Sequence, residues 1–278
     1  MTIHNQKDRA IQFRQMHVNP PLLVLPNAWD AASARIFEQA RFRAIATTSS
    51  GVAAALGYGD GEQISRHMLV ETVEHIARVI ASPLTADIEA GYGDTIAEVL
   101  QTVRAVIDAG AVGINIEDSK KQQSKALVDV SYQVELIQAI QELGRSMDVP
   151  LVINARTDVF LLAIGDPTSR VKEAVLRMNA YRQAGADCLF PIGVSDAHTI
   201  KELVQSVKGP LNILAGSATP SLPELAQMRV ARVSFGSGPM RATLAHLQHI
   251  VHEWIEYGTY TDMKERTISG AQLRSLFE

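Results

Sequence analysis

Two carboxylates set two residues apart, Asp87 and Glu89 in Thr85-Ala86-Asp87-Ile88-Glu89-Ala90-Gly91-Tyr92-Gly93, close an apolar segment that reads as a β-strand. Alternation along a strand turns both to one side. Two carboxylates crowded at a buried strand end repel each other unless a divalent cation offsets their charge. A surface Asp-x-Glu turn, or an N-cap for the next helix, is the competing explanation. The following apolar segment, Gly113-Ile114-Asn115-Ile116-Glu117-Asp118, ends in the same way, with Asn115 and Glu117 on one side and Ile114 and Ile116 on the other. Hard oxygen ligands in this number suit Mg²⁺ or Mn²⁺, with positions left for water and substrate. By contrast, His246, His249 and His252 lie on a late helical stretch and read as a solvated face rather than a zinc site.

A further strand candidate carries Asn154, Arg156 and Asp158 in one parity. A guanidinium beside a carboxylate cluster can hold a substrate carboxylate in a two-pronged contact and stabilise a developing oxyanion. A structural ion pair to Glu117 or Asp158 would use the same residue types. Ser49-Ser50-Gly51 presents hydroxyls and backbone N–H groups after another strand. The stretch beyond it, Gly57-Tyr58-Gly59-Asp60-Gly61, is a glycine-rich loop with one acidic group. Gly236-Ser237-Gly238 could bind phosphate or simply turn the chain. Cys188 lies within an apolar segment and reads as a core residue.

These groups can act together only if strands deliver them to one rim. Short apolar segments at 22–25, 44–48, 84–88, 112–117, 151–155, 188–191, 212–214 and 232–235 each precede a stretch with helical spacing, such as 66–80, 96–109 and 169–184. Such alternation is the signature of βα units around a parallel sheet. The helix-to-strand junctions IDAGAVGINIE and RQAGADCLFP are short and carry glycine. The strand-to-helix junctions, among them TTSSGVAAALGYGDGEQ, DIEAGYGDT and NARTDVF, are longer and polar. The predicted fold is therefore an α/β (β/α)8 TIM barrel with its site at the carboxyl ends of the strands. It carries an N-terminal helix and a C-terminal helical extension over about 259–278, and the 278 residues form one domain. An open doubly wound sheet is the other arrangement, but no Gly-x-Gly-x-x-Gly follows the first strand.

Apolar residues make up 46% of the chain and charged residues 20%, enough for a packed core. A formal charge of -4 and the lack of a basic cluster beyond Lys120, Lys121 and Lys125 argue against nucleic acid as a partner. A single cysteine excludes an intrachain disulfide. With no leader-like start and no run of about 18 apolar residues, a cytoplasmic protein with no membrane partner is expected.

In order, PNAWDAASA, TTSSG, GYGDGE, ADIEAGYG, GINIEDS, NARTD and SFGSGP resemble the motifs of the isocitrate lyase and phosphoenolpyruvate mutase superfamily, from about Pro26 to Arg241. The resemblance implies a Mg²⁺-dependent barrel whose reaction passes through an enolate or related oxyanion. It implies Asp87 as the direct metal ligand, with Asp60, Glu89 and Glu117 binding through metal-bound waters. Arg156 would bind substrate, Ser49, Ser50 and Gly51 would cradle its carboxylate, and Asn212 would add a contact. Trp29 and Tyr58 would shape the pocket, and a homotetramer would form with the tail after Gly258 exchanged between subunits.

This sequence departs from the superfamily's isocitrate and methylisocitrate lyases. Where those carry Lys-x-Cys-Gly-His, it reads Asp118-Ser-Lys-Lys-Gln-Gln-Ser-Lys-Ala, without the cysteine acid. The expected activity is C–C cleavage of a small 2-oxo or 2-hydroxy carboxylic acid, either oxaloacetate decarboxylation or retro-aldol cleavage of a substituted malate. Arg156 and Glu117 would be catalytic, and Tyr58, Tyr92 or a metal-bound water would be the candidate proton donor. Two alternatives stand beside it. One is P–C chemistry with Lys120, Lys121 or Lys125 against a phosphonate, the lysines otherwise forming a solvated loop. The other is a ligand-binding barrel that has lost catalysis.

Overall fold

The computed structural model describes residues 3–18, 20–119 and 125–278. Its strands are β1 (Leu23–Leu25), β2 (Asn27–Ala28), β3 (Ile45–Thr47), β4 (Leu84–Asp87), β5 (Gly113–Glu117), β6 (Val152–Thr157), β7 (Cys188–Pro191), β8 (Asn212–Leu214) and β9 (Arg232–Ser234). All pairings between them are parallel, in the orders β1-β9-β8 and β2-β3-β4-β5-β6-β7. The first predicted strand, 22–25, is β1, and an unpredicted second segment, β2, follows it beyond Pro26, which has no N–H to give a ladder. One segment pairs with β9 and the other with β3, so consecutive residues belong to both sheets. A parallel bridge, Leu189 to Leu211, links β7 to the approach of β8. The result is an α/β fold with parallel sheets.

The helices are α1 (Ile3–Met16), α2 (Ala31–Gln39), α3 (Ser49–Ala55), α4 (Arg66–Val79), α5 (Ile96–Asp108), α6 (Val130–Ser146), α7 (Arg170–Ala184), α8 (Ala197–Ser206), α9 (Leu222–Gln227), α10 (Gly238–Tyr257), α11 (Thr261–Glu265) and α12 (Gly270–Ser275). Local chemistry explains their bounds. A capping box of Thr95 and Glu98 starts α5, which buries Val99, Val103, Val106 and Ile107 along one stripe. Asp30 and Ser33 cap α2 in the same way. Gly185, at φ 116, ends α7 in the left-handed conformation and lets the chain enter β7 within three residues. In the stretch expected to be an irregular junction, Thr48 caps α3, so Ser49, Ser50 and Gly51 form the first turn of a helix.

The core is aliphatic, with Leu25, Ile45, Ile88, Ile114, Ile116, Ile153 and Val233 fully buried. Helix α1 lies across the amino ends of the strands. Gln6 Nε2 donates to the carbonyls of Ile107 and Ala111, and Arg14 Nη2 to Leu151 O. A Cβ on Gly113, which opens β5, would stand 2.9 Å from Phe13 Cε1 and 2.9 Å from Val152 O, so this close approach requires glycine. With that end covered, a site can open only at the carboxyl ends. At the far end of the chain, α12 docks on α2: Arg35 Nε donates to Leu276 O and Gln39 Nε2 to Ser275 O at 3.2 Å. No described helix is long and apolar enough to cross a membrane.

Candidate active site

A cavity of about 260 Å³ opens at the carboxyl ends of the strands. Every second residue of β4, β5, β6 and β8 points into it: Thr85 and Asp87, Asn115, Asn154 and Arg156, Asn212 and Leu214. Ser49, Ser50 and Asp60 stand at its mouth, while Leu161, Phe190, Ile192 and Leu214 supply an apolar wall. Six predicted residues therefore meet here: Asp87, Asp60, Arg156, Ser49, Ser50 and Asn212.

Asp87 is held at both oxygens. Ser49 N–H donates to Oδ2 at 3.0 Å, Asn115 Nδ2 donates to Oδ1 at 2.9 Å, and Asn154 Nδ2 donates in turn to Asn115 Oδ1 at 2.7 Å. This amide relay fixes the carboxylate's rotamer from one side and the first turn of α3 fixes it from the other. About two of its lone-pair positions still face the cavity. The Asp87 backbone N–H donates to Thr47 Oγ1 at 2.8 Å, which ties β4 to β3 at the same level.

Arg156 lies between carboxylates. Nε and Nη2 form a two-pronged contact with Asp158 at 2.6 and 2.9 Å, and Nη1 meets Glu117 at 2.8 Å. Burial opposes its charge, but Glu117 and Asp158 more than offset this and hold the guanidinium firmly protonated. The structural ion pair and the cavity-facing role thus coexist. The contacts leave N–H groups on Nη1 and Nη2, and the side chain lines the cavity. Burial raises the Asp158 carboxyl above its usual range, against the pull of Arg156.

Other predicted residues lie elsewhere. Strand β4 ends at Asp87, and Glu89 follows at φ 51, so the alternation expected to align the two carboxylates is broken. Both Glu89 oxygens accept the Glu62 N–H at 2.9 Å, and Tyr92 Oη donates to Oε1 at 3.1 Å. In return, Glu62 Oε1 accepts from the N–H groups of Ala90 and Tyr92. Glu89 therefore clasps the acidic loop to the β4–α5 junction instead of lining the cavity. Burial first, and Glu89 second, raise the Tyr92 phenol. Glu117 accepts from Ser119 Oγ at 2.5 Å as well as pairing with Arg156.

Tyr58 is 46% exposed and outside the cavity lining. Gly51 is buried in α3, where a Cβ would stand 2.6 Å from Thr48 Cγ2 and 3.1 Å from Trp29 Cβ. Packing explains this glycine, and Trp29 sits behind it outside the lining. Lys120 and Lys121 lie outside the described residues, and Lys125 is exposed.

The sequence reading passed over several participants. Asn27 staples the rim: Nδ2 donates to Thr47 O, and Oδ1 accepts from the N–H groups of Phe235 and Gly236. Asn154 was seen only as sharing a parity with Arg156. Arg232 opens β9 at 2% exposure and lines the cavity floor. Its signal was a charge at an inward strand position, rare unless something pairs with it.

The donors at the mouth suit a hard divalent cation. Asp87 and Asp60 present carboxylate oxygens to one cavity, the neutral Asn115 supports Asp87, and Mg²⁺ is commonly held by one or two carboxylates with water filling the rest. Among the described residues, no group of three or more His, Cys, Asp or Glu forms a ready metal cage. That accords with Glu89 and Glu117 being turned to protein partners.

Comparison with known proteins places this architecture. The family model described as phosphoenolpyruvate phosphomutase matches residues 13–255. The 2-methylisocitrate lyase of Escherichia coli K12 is 30% identical over 93% of this chain and 88% of its own length. A Burkholderia cenocepacia J2315 crystal structure, described only as a lyase/mutase, superposes with a TM-score of 0.91 at 33% identity, over 98% of this chain and 97% of the other. The crystal structure of 2,3-dimethylmalate lyase gives 0.84 at 26% identity, covering 96% and 94%. The parallel α/β frame, the acidic and arginine-bearing strand ends and these matches agree: the chain belongs to the phosphoenolpyruvate mutase family of the isocitrate lyase/phosphoenolpyruvate mutase superfamily, whose members are lyases and mutases.

Proposed function

We propose that this chain is one (β/α)8-barrel domain acting as a Mg²⁺-dependent lyase, which cleaves a C–C bond in a small 2-oxo or 2-hydroxy carboxylic acid. The observation that carries the proposal is the pairing, across one cavity, of Asp87 with open lone pairs and Arg156 with unspent N–H groups. A divalent cation held by Asp87, and through water by Asp60, would supply Lewis-acid stabilisation of negative charge, while Glu89 and Glu117 are turned to Tyr92 and Glu62 and to Ser119 and Arg156. The residues do the rest. Ser49 and Ser50 hold the substrate carboxylate at the mouth, and Arg156 faces the oxygen that gains charge as the bond breaks. Glu117 and Asp158 keep Arg156 charged and aimed. The apolar wall of Leu161, Phe190 and Ile192 excludes water from the carbanion face. Tyr92 is a poorer proton donor than its position suggested, because its hydroxyl is committed to Glu89.

Oxaloacetate and a substituted malate are the candidate substrates, by likeness to oxaloacetate decarboxylase and to 2,3-dimethylmalate lyase. The test is formation of 2-oxo acid from oxaloacetate, substituted malates and phosphonopyruvate, with Mg²⁺ or with EDTA, for wild type and Asp87→Ala. Metal-dependent turnover that disappears in the variant supports the reading. Turnover of phosphonopyruvate alone moves it to P–C chemistry, and no turnover with no Mg²⁺ binding refutes it.

We also read the exposed Leu247, Trp254, Ile255 and Tyr257 of α10 as a subunit contact in a homotetramer, in which the tail after Gly258 would dock on a partner's α2 as it docks here on its own. Light scattering of the wild type and of a chain ending at Gly258 checks this.

A further inference from the structure

Below Asp87 and Arg156, the cavity continues to a floor formed by Arg232 and its β-ladder partner Asn212. Arg232 is 2% exposed, and among the described residues no carboxylate stands within ion-pair distance of it. The one hydrogen-bond contact of its guanidinium is Nη1 to His17 Nε2 at 3.5 Å. His17 Nδ1 is engaged with Phe13 O at 2.8 Å, so Nε2 faces Arg232 as an acceptor. Arg232 Nε has no partner, and neither do Asn212 Oδ1, Asn154 Oδ1 and Thr85 Oγ1, all on residues lining the cavity.

The geometry matters because Nη1 is spoken for on the side of α1, while Nε and Nη2 form the side-on edge of the guanidinium. That edge is the one that takes a carboxylate through two parallel N–H···O bonds. Asp87 supports its charge only from beyond ion-pair distance, and a buried cation with no paired carboxylate is costly in a folded protein. Burial lowers the Arg232 pKa only to about 10, so the group remains charged at neutral pH.

We propose that Arg232, with Asn212 beside it, is an anion subsite that receives a second, distal oxyanion group of the substrate. Resting on the proposed reading of Asp87 and Arg156 as the reacting end, this assigns to Arg232 the second acid group that the proposed substrates carry. A carboxylate or a phosphonate presents the shared chemistry. The Nε/Nη2 edge of Arg232 binds the far group, helped by the one Asn212 Nδ2 hydrogen not given to Ser234 Oγ, and the apolar wall separates the two charged ends.

Calorimetric titration in Mg²⁺ tests this with pyruvate, malonate, succinate and phosphonoacetate, on wild type, Arg232→Met and Arg232→Lys. The expected result is that a diacid binds wild type about ten- to hundredfold more tightly than pyruvate does. That advantage is lost in Arg232→Met and partly kept in Arg232→Lys, with pyruvate affinity unchanged within about twofold. An advantage confined to phosphonoacetate identifies the distal group as phosphonate. No diacid advantage in wild type, or one that survives in Arg232→Met, overturns the subsite. Failure of pyruvate to bind while the Arg232-dependent advantage persists counts against the reacting-end reading alone. A wild-type crystal soaked in malonate gives an answer even if the variants misfold: a carboxylate on Nε and Nη2 supports the subsite, and water alone there refutes it.

Discussion

Two clusters of the same chemistry lie back to back around β5 and β6, and they differ in what they leave unspent. Behind the strands, Asp118 is fully buried and saturated: it accepts from Asp158 N–H at 2.9 Å, Tyr181 Oη at 2.7 Å and Arg177 Nη1 at 3.3 Å. Arg177 in turn spends itself on Glu173, Val128 O and Tyr181. In front, Asp87 and Arg156 are as well positioned but keep lone pairs and N–H groups turned toward a cavity. A buried ion pair is thus poor evidence of function by itself. Unspent hydrogen-bonding capacity beside open space is what separates a site from a structural network.

The sharpest way to break this comparison is at Asp118. Asp118→Ala leaves Tyr181 Oη and the Asp158 N–H without their buried acceptor and Arg177 with Glu173 as its remaining ion-pair partner, and should cost about 3–5 kcal/mol of stability. Urea unfolding should show the loss, whereas a small shift would mean that Asp118 is not the anchor of a closed network. Asp87→Asn should do the opposite. Turnover is expected to fall about 10²–10³-fold, while stability falls by only about 1–2 kcal/mol, since the shape is kept and just one of the two donors to Asp87, Ser49 N–H or Asn115 Nδ2, loses its acceptor. Equal losses in both properties would erase the distinction between the two clusters.

A third outcome concerns the neutral partner of Arg232. Burial, helped by Arg232, lowers the His17 pKa to about 3, so the folded chain binds this proton more weakly than the unfolded chain does. His17 therefore contributes full stability above the unfolded value near 6.5 and loses it as pH falls toward 3. At pH 5 the loss is about 2 kcal/mol. Unfolding of wild type and His17→Gln at pH 7.5 and 5 should differ by that amount, and parallel pH profiles would show that His17 is not buried neutral. The smallest effect is expected at Asn154→Ala, which cuts the relay one amide away from Asp87. Turnover should drop about tenfold or less, and stability by about 1 kcal/mol; a loss as large as that of Asp87→Asn would place Asn154 in contact with the substrate.

Much of the frame was legible without coordinates, because its cues are local. Glycine after a helix and apolar runs set the βα units nearly residue by residue, as at Ile96–Asp108 and Gly185–Pro191. Parity along β5 and β6 puts Asn115, Asn154 and Arg156 on the cavity, since alternation is a property of the extended chain itself, while Glu117 and Asp158 of the same parity are spent on Arg156 outside the lining. Parity failed at Glu89, one residue beyond the last regular pair, because the backbone turns left-handed there and period-2 counting no longer applies. It also hid α3, whose Ser-Ser-Gly start looks like a loop until the Thr48 cap and the packing of Gly51 on Trp29 are seen.

The sequence alone determined which elements form and which chemical groups stand at their ends, for those follow from bonds and spacings within a few residues. Only the tertiary structure decided which groups are consumed by one another and which remain available. Asp118 and Asp87 look alike on the page, as do Arg177 and Arg232. What separates them is partners 28 to 215 residues away in the chain, together with the space left where strands from distant segments converge. Hydrogen-bond saturation and cavity access depend on those long-range neighbours, and no local pattern contains them.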